Sequence, residues 1–452
     1  MSRRARPGET SPAPVAVARN SRNVTGPDRR KRSPRAGPRR QMESPRNSHA
    51  EVEMKVRRES RPVTGFRAAG LHAGIKESAP DLAMIVSDEL ASAAAVFTRS
   101  SVVGAPVEVS RERVARGRSR GIVVNSGISN VAMGARGIRD AKAMTRIAAR
   151  AIDCEEEEIL VASTGVIGEP LPMDVLKVGI PRAAAALGAE GWDDAAEAIR
   201  TTDTHAKIAS TRLAIGGHLI TIQGIAKGSG MIEPDMATML SFLATDARIA
   251  PGVLRGMLRR VADATYNCLS IDGEGSTSDT VVLLANGAAG GSAIRRGSRE
   301  ARSFEDALRA ICEDLVLQLA RDGEGATKLL RVEVEGARTA AEADRAARRI
   351  GNSLLVKTAV FGGDPNWGRI LQTLGAGRIG WNPETTRVRV GGVVVFSKGR
   401  SAGPAARKRA EKAHEADEIS IRVELGMGRH SARLFTCDLT YDYVKINAEY
   451  TT

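Results

Sequence analysis

The 452-residue chain carries 67 Lys and Arg against 53 Asp and Glu, a formal net charge of +14, which taken alone points to a polyanion-binding protein. The excess is local: residues 1–60 hold 16 basic and 6 acidic residues, a net +10, which leaves 51 basic against 47 acidic, or +4, for the other 392. Apolar runs such as Leu82 to Val86 fall far short of the roughly 18 residues of a membrane span, the first residues lack the apolar core of a secretory signal, and 14 aromatic residues are too few for a base-stacking surface.

Residues 1–60 also contain 7 of the 18 prolines and no Phe, Trp or Tyr, so they cannot bury enough apolar surface to offset the entropy of ordering and read as a disordered basic leader. Met42 and Met54 stand just ahead of the globular pattern as alternative starts. The remaining chain exceeds one typical domain, so one large domain or two closely packed ones are expected. From Gly65 onward short apolar strands alternate with Ala-rich amphipathic helices, the pattern of a mixed α/β protein. Strands are predicted over 82–86, 122–124 and 159–162, with a helix over 135–153 between the last two. Leu213 to Ile225 alternates around Gly216 and Gly217 as a hairpin. A long helix is predicted from Ser303, with Asp306 placed for a capping box, to Gly323; strands follow at 330–334, 387–395, 419–425 and 443–446.

Several familiar chemistries lack their residues. Cys154, Cys268, Cys312 and Cys437 form no C-x-x-C pair, so neither a zinc knuckle nor a disulfide framework is expected, and a reducing cytoplasm fits. None of the six histidines sits in a metal-ligand pattern, and no metal is expected. There is no G-x-S-x-G elbow, and in Lys227-Gly228-Ser229-Gly230 the lysine precedes the glycines, the reverse of a phosphate-binding P-loop.

One segment remains: Lys227-Gly228-Ser229-Gly230-Met231-Ile232-Glu233-Pro234-Asp235-Met236-Ala237-Thr238-Met239-Leu240. A threonine hydroxyl is a weak nucleophile unless a base takes its proton, and an N-terminal threonine carries its own base, an α-amino group of pKa about 7.7–8.0. Thr238 lies mid-chain, so it becomes N-terminal only by attacking the Ala237 carbonyl and being freed by water. Small Ala237 and the upstream glycines permit the bent backbone this needs. The segment closely resembles the self-cleavage segment of the bifunctional ornithine acetyltransferase and amino-acid N-acetyltransferase family. The resemblance extends in family order through Val63 to Gly70, Gly74-Ile75-Lys76, Ser163 to Gly168, Thr201 to Thr204, Gly323 to Lys328, Asp364 to Arg369 and Asn447 to Thr452.

The resemblance implies a layered α/β/β/α fold of the ornithine acetyltransferase and self-processing aminopeptidase type, in two closely packed domains. It implies cleavage between Ala237 and Thr238 into fragments 61–237 (with the leader 1–60 attached) and 238–452. These stay associated as a heterotetramer of two alpha and two beta chains. Thr238 would take the acetyl group of N-acetylornithine and pass it to glutamate by a ping-pong mechanism. Thr164 and Gly165 match the family's oxyanion-hole pair, and Thr201, Lys227, Thr238, Glu324, Asn447 and Thr452 match its substrate contacts. No cofactor is implied; acetyl-CoA enters only as a possible second acetyl donor, on which no residue decides. By themselves Thr164-Gly165 reads as a turn, Glu324 as a solvated loop charge and Asp364 to Arg369 as a Pro-Asn turn.

The chain departs from the family pattern at Ile128 to Met133, in Thr204-His205-Ala206-Lys207 and at Asp235, which bears on substrate choice. Two other readings compete: a self-processing aminopeptidase or amidohydrolase of the same fold, with water as acceptor, and, remotely, a nucleic-acid-binding protein acting through the basic leader.

Overall fold

The computed structural model describes residues 55–233 and 239–449. Ala237, Thr238 and Thr452, three of the residues singled out from sequence, lie outside the described residues, as do residues 1–54 of the expected leader. Residues 55–60, which composition assigns to that leader, are paired: Arg57 exchanges backbone hydrogen bonds with Ser210 at 2.8 and 2.9 Å, and Arg58 meets Asp314 at 2.9 Å.

The elements run β1 (Phe66–Leu71), β2 (Leu82–Phe97), α1 (Ala105–Val114), β3 (Arg118–Ile128), α2 (Gly134–Ala151), β4 (Ile159–Val166), α3 (Met173–Ala185), α4 (Trp192–Ala198), β5 (Lys207–Ile215), β6 (His218–Lys227), β7 (Leu240–Thr245), α5 (Pro251–Ala264), β8 (Thr280–Ala285) and α6 (Arg299–Arg321). Their strands form one sheet in the order β4-β3-β2-β8-β7-β6-β5, with β1 also on β2. β2 makes this possible. Its first half pairs with β1 and β3 and its second with β8, while β3 resumes at Ala91 and Ser92 after a register shift beyond Val86, where Asp88 to Leu90 are exposed. Such a bulge bends a strand and sharpens its twist.

The bent sheet therefore has two halves that face each other. Ile85, Val124 and Leu160 of one half share a core with Ile225, Phe242 and Leu284 of the other. Outside the first half, Met84 and Val161 pack on α2 and α3 through Met144 and Ile180. Outside the second, Ile222 and Leu283 pack on α5 and α6 through Leu258, Leu308 and Leu315. The result is the expected order of helices, strands, strands and helices. Each such buried aliphatic side chain contributes about 1.5–3 kcal/mol. The β5–β6 hairpin turns on Gly216 and Gly217 at φ 57° and 82°, the positive angles that a two-residue type I′ turn requires.

A second sheet follows, in the order β12-β11-β10-β13-β9-β14. It is built from β9 (Leu329–Ala337), α7 (Ala340–Gly351), α8 (Leu354–Phe361), α9 (Trp367–Ala376), β10 (Arg387–Val390), β11 (Val393–Ser397), β12 (Arg400–Ser401), α10 (Pro404–Ala413), β13 (Glu418–Glu424), β14 (His430–Cys437) and α11 (Tyr441–Glu449). Ile419, Ile421 and Val423 point at α7, while the alternate Glu418, Arg422 and Glu424 form ion pairs with Arg321, Arg331, Glu333, Glu335, Arg387 and Arg389 on the other face. β14 joins this sheet to the α5/α6 core through Phe435 and Cys437.

Three expectations are corrected. The long helix starts at Arg299, because Ser298 caps it by accepting the Ala301 N–H at 3.1 Å. Residues 443–446 are not a strand but the middle of α11. A run of four such residues does not distinguish the two periods, and Thr440, whose hydroxyl accepts the Tyr443 N–H at 3.4 Å, starts a helix. The predicted single strand over 387–395 is two, β10 and β11, turning at Gly391 and Gly392. Among the described residues no helix is long and apolar enough to cross a membrane.

Candidate active site

A cavity of about 380 Å³ opens where the ends of β4, β6 and β7 meet α11 and the loop 272–279. β4 runs parallel to β3 and brings Gly165 opposite Gly127. Gly165 has φ +127°, and a Cβ there would lie 2.3 Å from the Gly127 carbonyl. Both facts require glycine at this position.

Lys227, the last residue of β6, is only 8% exposed. Its Nζ donates to Thr164 Oγ1 at 3.3 Å. An ammonium has no lone pair to offer, so Thr164 accepts in this contact and its own O–H is left to donate into the cavity. Burial pushes the Lys227 pKa down, and the charge of Asp203 opposes that shift.

Asp203 is buried at the centre of a network. It accepts the Gly228 N–H at 2.6 Å, the Lys207 Nζ at 2.6 Å and the Thr201 N–H at 3.0 Å. Lys207, fully buried, also pairs with Asp322 at the end of α6. Burial alone would raise the Asp203 carboxyl, but Lys207, Lys227 and these hydrogen bonds hold it well below the usual carboxylate range. The network thereby fixes Thr201 and Gly228, two positions in the cavity wall.

Glu324 stands just past α6, and its N–H donates to the Ser229 carbonyl at 2.8 Å. Its carboxylate accepts Asn447 Nδ2 at 2.8 Å. A Cβ at Gly230 would lie 2.4 Å from that carboxylate, so glycine lets the loop approach Glu324. Tyr443, one turn before Asn447, donates to Asp272 at 3.4 Å. Burial and the charges of Asp272 and Glu324 push its phenol up.

Six residues singled out from sequence, Thr164, Gly165, Thr201, Lys227, Glu324 and Asn447, thus line one cavity, together with Met231 and Met239, which flank residues 234–238. Ala237, Thr238 and Thr452 lie outside the described residues. Ser129, within the segment that departs from the family pattern, is part of the wall and donates to the Val166 carbonyl at 2.8 Å. Sequence reasoning missed Asp203, Asp272 and Tyr443. Asp203 lies inside the quoted Thr201 to Thr204 motif; Tyr443 was hidden by the strand reading. The four cysteines are free thiols, and among the described residues no group of three or more His, Cys, Asp or Glu could hold a metal ion.

The family model of the ArgJ family matches residues 67–452. The "Arginine biosynthesis bifunctional protein ArgJ" of Symbiobacterium thermophilum is 47% identical over 399 residues, covering 86% of this chain and 97% of that protein. Its namesake from Geobacter sulfurreducens is 44% identical over 391 residues, covering 86% of this chain and 100% of that protein. A solved structure of ornithine acetyltransferase complexed with ornithine, from Mycobacterium tuberculosis, is 36% identical over 41% of this chain and 100% of that chain, with a TM-score of 0.38.

Proposed function

Since the chain belongs to the ArgJ family and is an acyltransferase of arginine biosynthesis, we propose that it transfers acetyl from N2-acetyl-L-ornithine to L-glutamate through an ester on Thr238, after cutting itself between Ala237 and Thr238. The observation that carries this reading is the convergence of Thr164, Gly165, Thr201, Lys227, Glu324 and Asn447 on one cavity, with Met231 and Met239 on either side of the Thr238 segment also in its wall.

In the cut, the Thr238 hydroxyl oxygen attacks the Ala237 carbonyl carbon, the peptide C–N bond breaks, and the hydroxyl proton passes to the Thr238 nitrogen. Water then hydrolyses the ester, leaving the Ala237 carboxylate and a free α-amino group on Thr238. The fragments remain joined because β2 pairs with β8 and β6 with β7 across the cut; a heterotetramer of two copies of each fragment is the expected assembly.

In the transfer, the Thr238 α-amino group takes the hydroxyl proton as the oxygen attacks the acetyl carbonyl. The developing oxyanion meets the Thr164 O–H and the Gly165 N–H. Collapse breaks the amide C–N bond, and the proton goes to the leaving ornithine amine. Glutamate's amine then attacks the acetyl ester and restores Thr238. Lys227 is the one cation among the described residues of the wall, which suits the substrate α-carboxylate. Glu324, within reach of Asn447, suits the ornithine side-chain ammonium.

The test is product analysis of processed protein given N-acetylornithine with and without glutamate. Stoichiometric N-acetylglutamate that depends on glutamate is expected. Steady acetate release without glutamate would instead make the protein a hydrolase. The same assay with acetyl-CoA in place of N-acetylornithine reports on the second donor.

A further inference from the structure

Residues 231–233 lead into residues 234–238, and carboxylates fix both ends of that short lead. Met231 stands at φ +55°, the left-handed region that residues with a side chain disfavour. Asp272 is what holds it there. One of its carboxylate oxygens accepts the Met231 N–H at 2.7 Å, and the other the Ile232 N–H at 2.8 Å. The Ile232 carbonyl in turn accepts the Ile271 N–H at 2.7 Å. Successive amides aimed at one anion form a nest, filled here by the protein's own side chain.

Asp272 is itself held. Glu274 N–H donates to it at 3.3 Å and the Tyr443 hydroxyl at 3.4 Å. Next to it, the buried Lys357 donates from Nζ to the Ile271 carbonyl at 2.8 Å and to Thr436 Oγ1 at 3.0 Å, tying the loop to β14. On the other side of the lead, Glu233 accepts from Asn352 Nδ2 at 2.8 Å and from Arg348 at 3.2 Å, both on or beside α7. A carboxylate from the 272–279 loop and an amide and a guanidinium from the C-terminal end of α7 thus converge on three consecutive residues.

We propose that Asp272 is a positioning residue for self-cleavage, fixing Met231 and Ile232 so that the chain enters residues 234–238 from a set place and direction. The proposal rests on the self-cleavage reading above. Attack of a hydroxyl on the carbonyl of the residue before it needs a near-attack geometry, and a misplacement of about 1 Å costs about 10²-fold in rate. A lead free to leave the left-handed region would present that geometry in a small fraction of molecules.

The test follows cleavage of the full-length chain after cell-free synthesis, on denaturing gels over time. Asp272→Asn removes one acceptor and sets an amide N–H against a backbone N–H; cleavage at least tenfold slower than wild type is expected. Adding Met231→Gly to Asp272→Asn is expected to recover much of the lost rate, because glycine adopts φ +55° without help. A general loss of folding would not be rescued in this way. Met231→Ile in the wild-type background, where β-branching opposes a positive φ, is expected to slow cleavage and tests the same point should Asp272→Asn not fold. The proposal is overturned if Asp272→Asn cleaves at the wild-type rate, if glycine gives no rescue, or if Met231→Ile cleaves like wild type. A wild-type chain that never cleaves overturns the self-cleavage reading itself, and this proposal with it.

Discussion

A Thr238→Ala variant is expected to run as one 452-residue chain on a denaturing gel, where the wild type gives fragments of 237 and 215 residues. Its kcat/KM should fall by at least about 10⁴-fold, the scale on which removal of a covalent nucleophile is felt. Both effects have one cause, since the same hydroxyl opens the peptide bond and later carries the acetyl group. The uncut variant should still fold, because the sheet pairs β6 with β7 and β2 with β8 whether or not the bond between them is cut. For the same reason the wild-type fragments should co-purify under native conditions and part only in denaturant. Intact masses of both preparations check the prediction.

Replacing Thr164 by valine should lower kcat by about 10²–10³-fold, equivalent to about 2.7–4 kcal/mol, with a smaller change in KM. Valine keeps the shape of the side chain, which is 9% exposed, and removes the O–H. The O–H is the donor left over when Lys227 Nζ occupies an oxygen lone pair. An oxyanion exists in the transition state and not in bound substrate, so the loss belongs in kcat. A change confined to KM would move Thr164 from the oxyanion to the ground-state substrate. Serine at this position should retain most of the rate, since it keeps the hydroxyl.

The sequence discloses much of this site because its pieces are local. The loop Lys227 to Gly230, the pair Thr164-Gly165 and the Gly-Glu-Gly after α6 are each a few residues long and each ends a strand or helix, where backbone and side chains are free to face a cavity. The mixed α/β class is likewise legible in the alternation of short strands, such as Ile122 to Val124, with amphipathic helices, whereas the α/β/β/α order of the layers is what the family resemblance implies. What local pattern does not carry is pairing at a distance. β2 is predicted over 82–86 alone; it runs on to Phe97 because a bulge exposes Asp88 to Leu90 and the strand finds β8, nearly 200 residues later. The contacts of Asp272 with Met231 and of Asp203 with Gly228 join residues 41 and 25 positions apart, with no periodicity to announce them. α11 escapes for a different reason: Tyr443, Val444 and Ile446 suit a strand by composition, and only the helix puts Tyr443 and Asn447 on the same side, toward Asp272 and Glu324.

The acetyl ester on Thr238 is the central claim, and intact mass of the C-terminal fragment tests it most directly. After brief exposure of processed protein to N-acetylornithine without glutamate, that fragment should be heavier by one acetyl group, mapped by peptide sequencing to Thr238, and should return to its original mass when glutamate is added. A fragment that stays unmodified while glutamate is acetylated at full rate would show direct transfer between the two substrates and contradict the covalent mechanism.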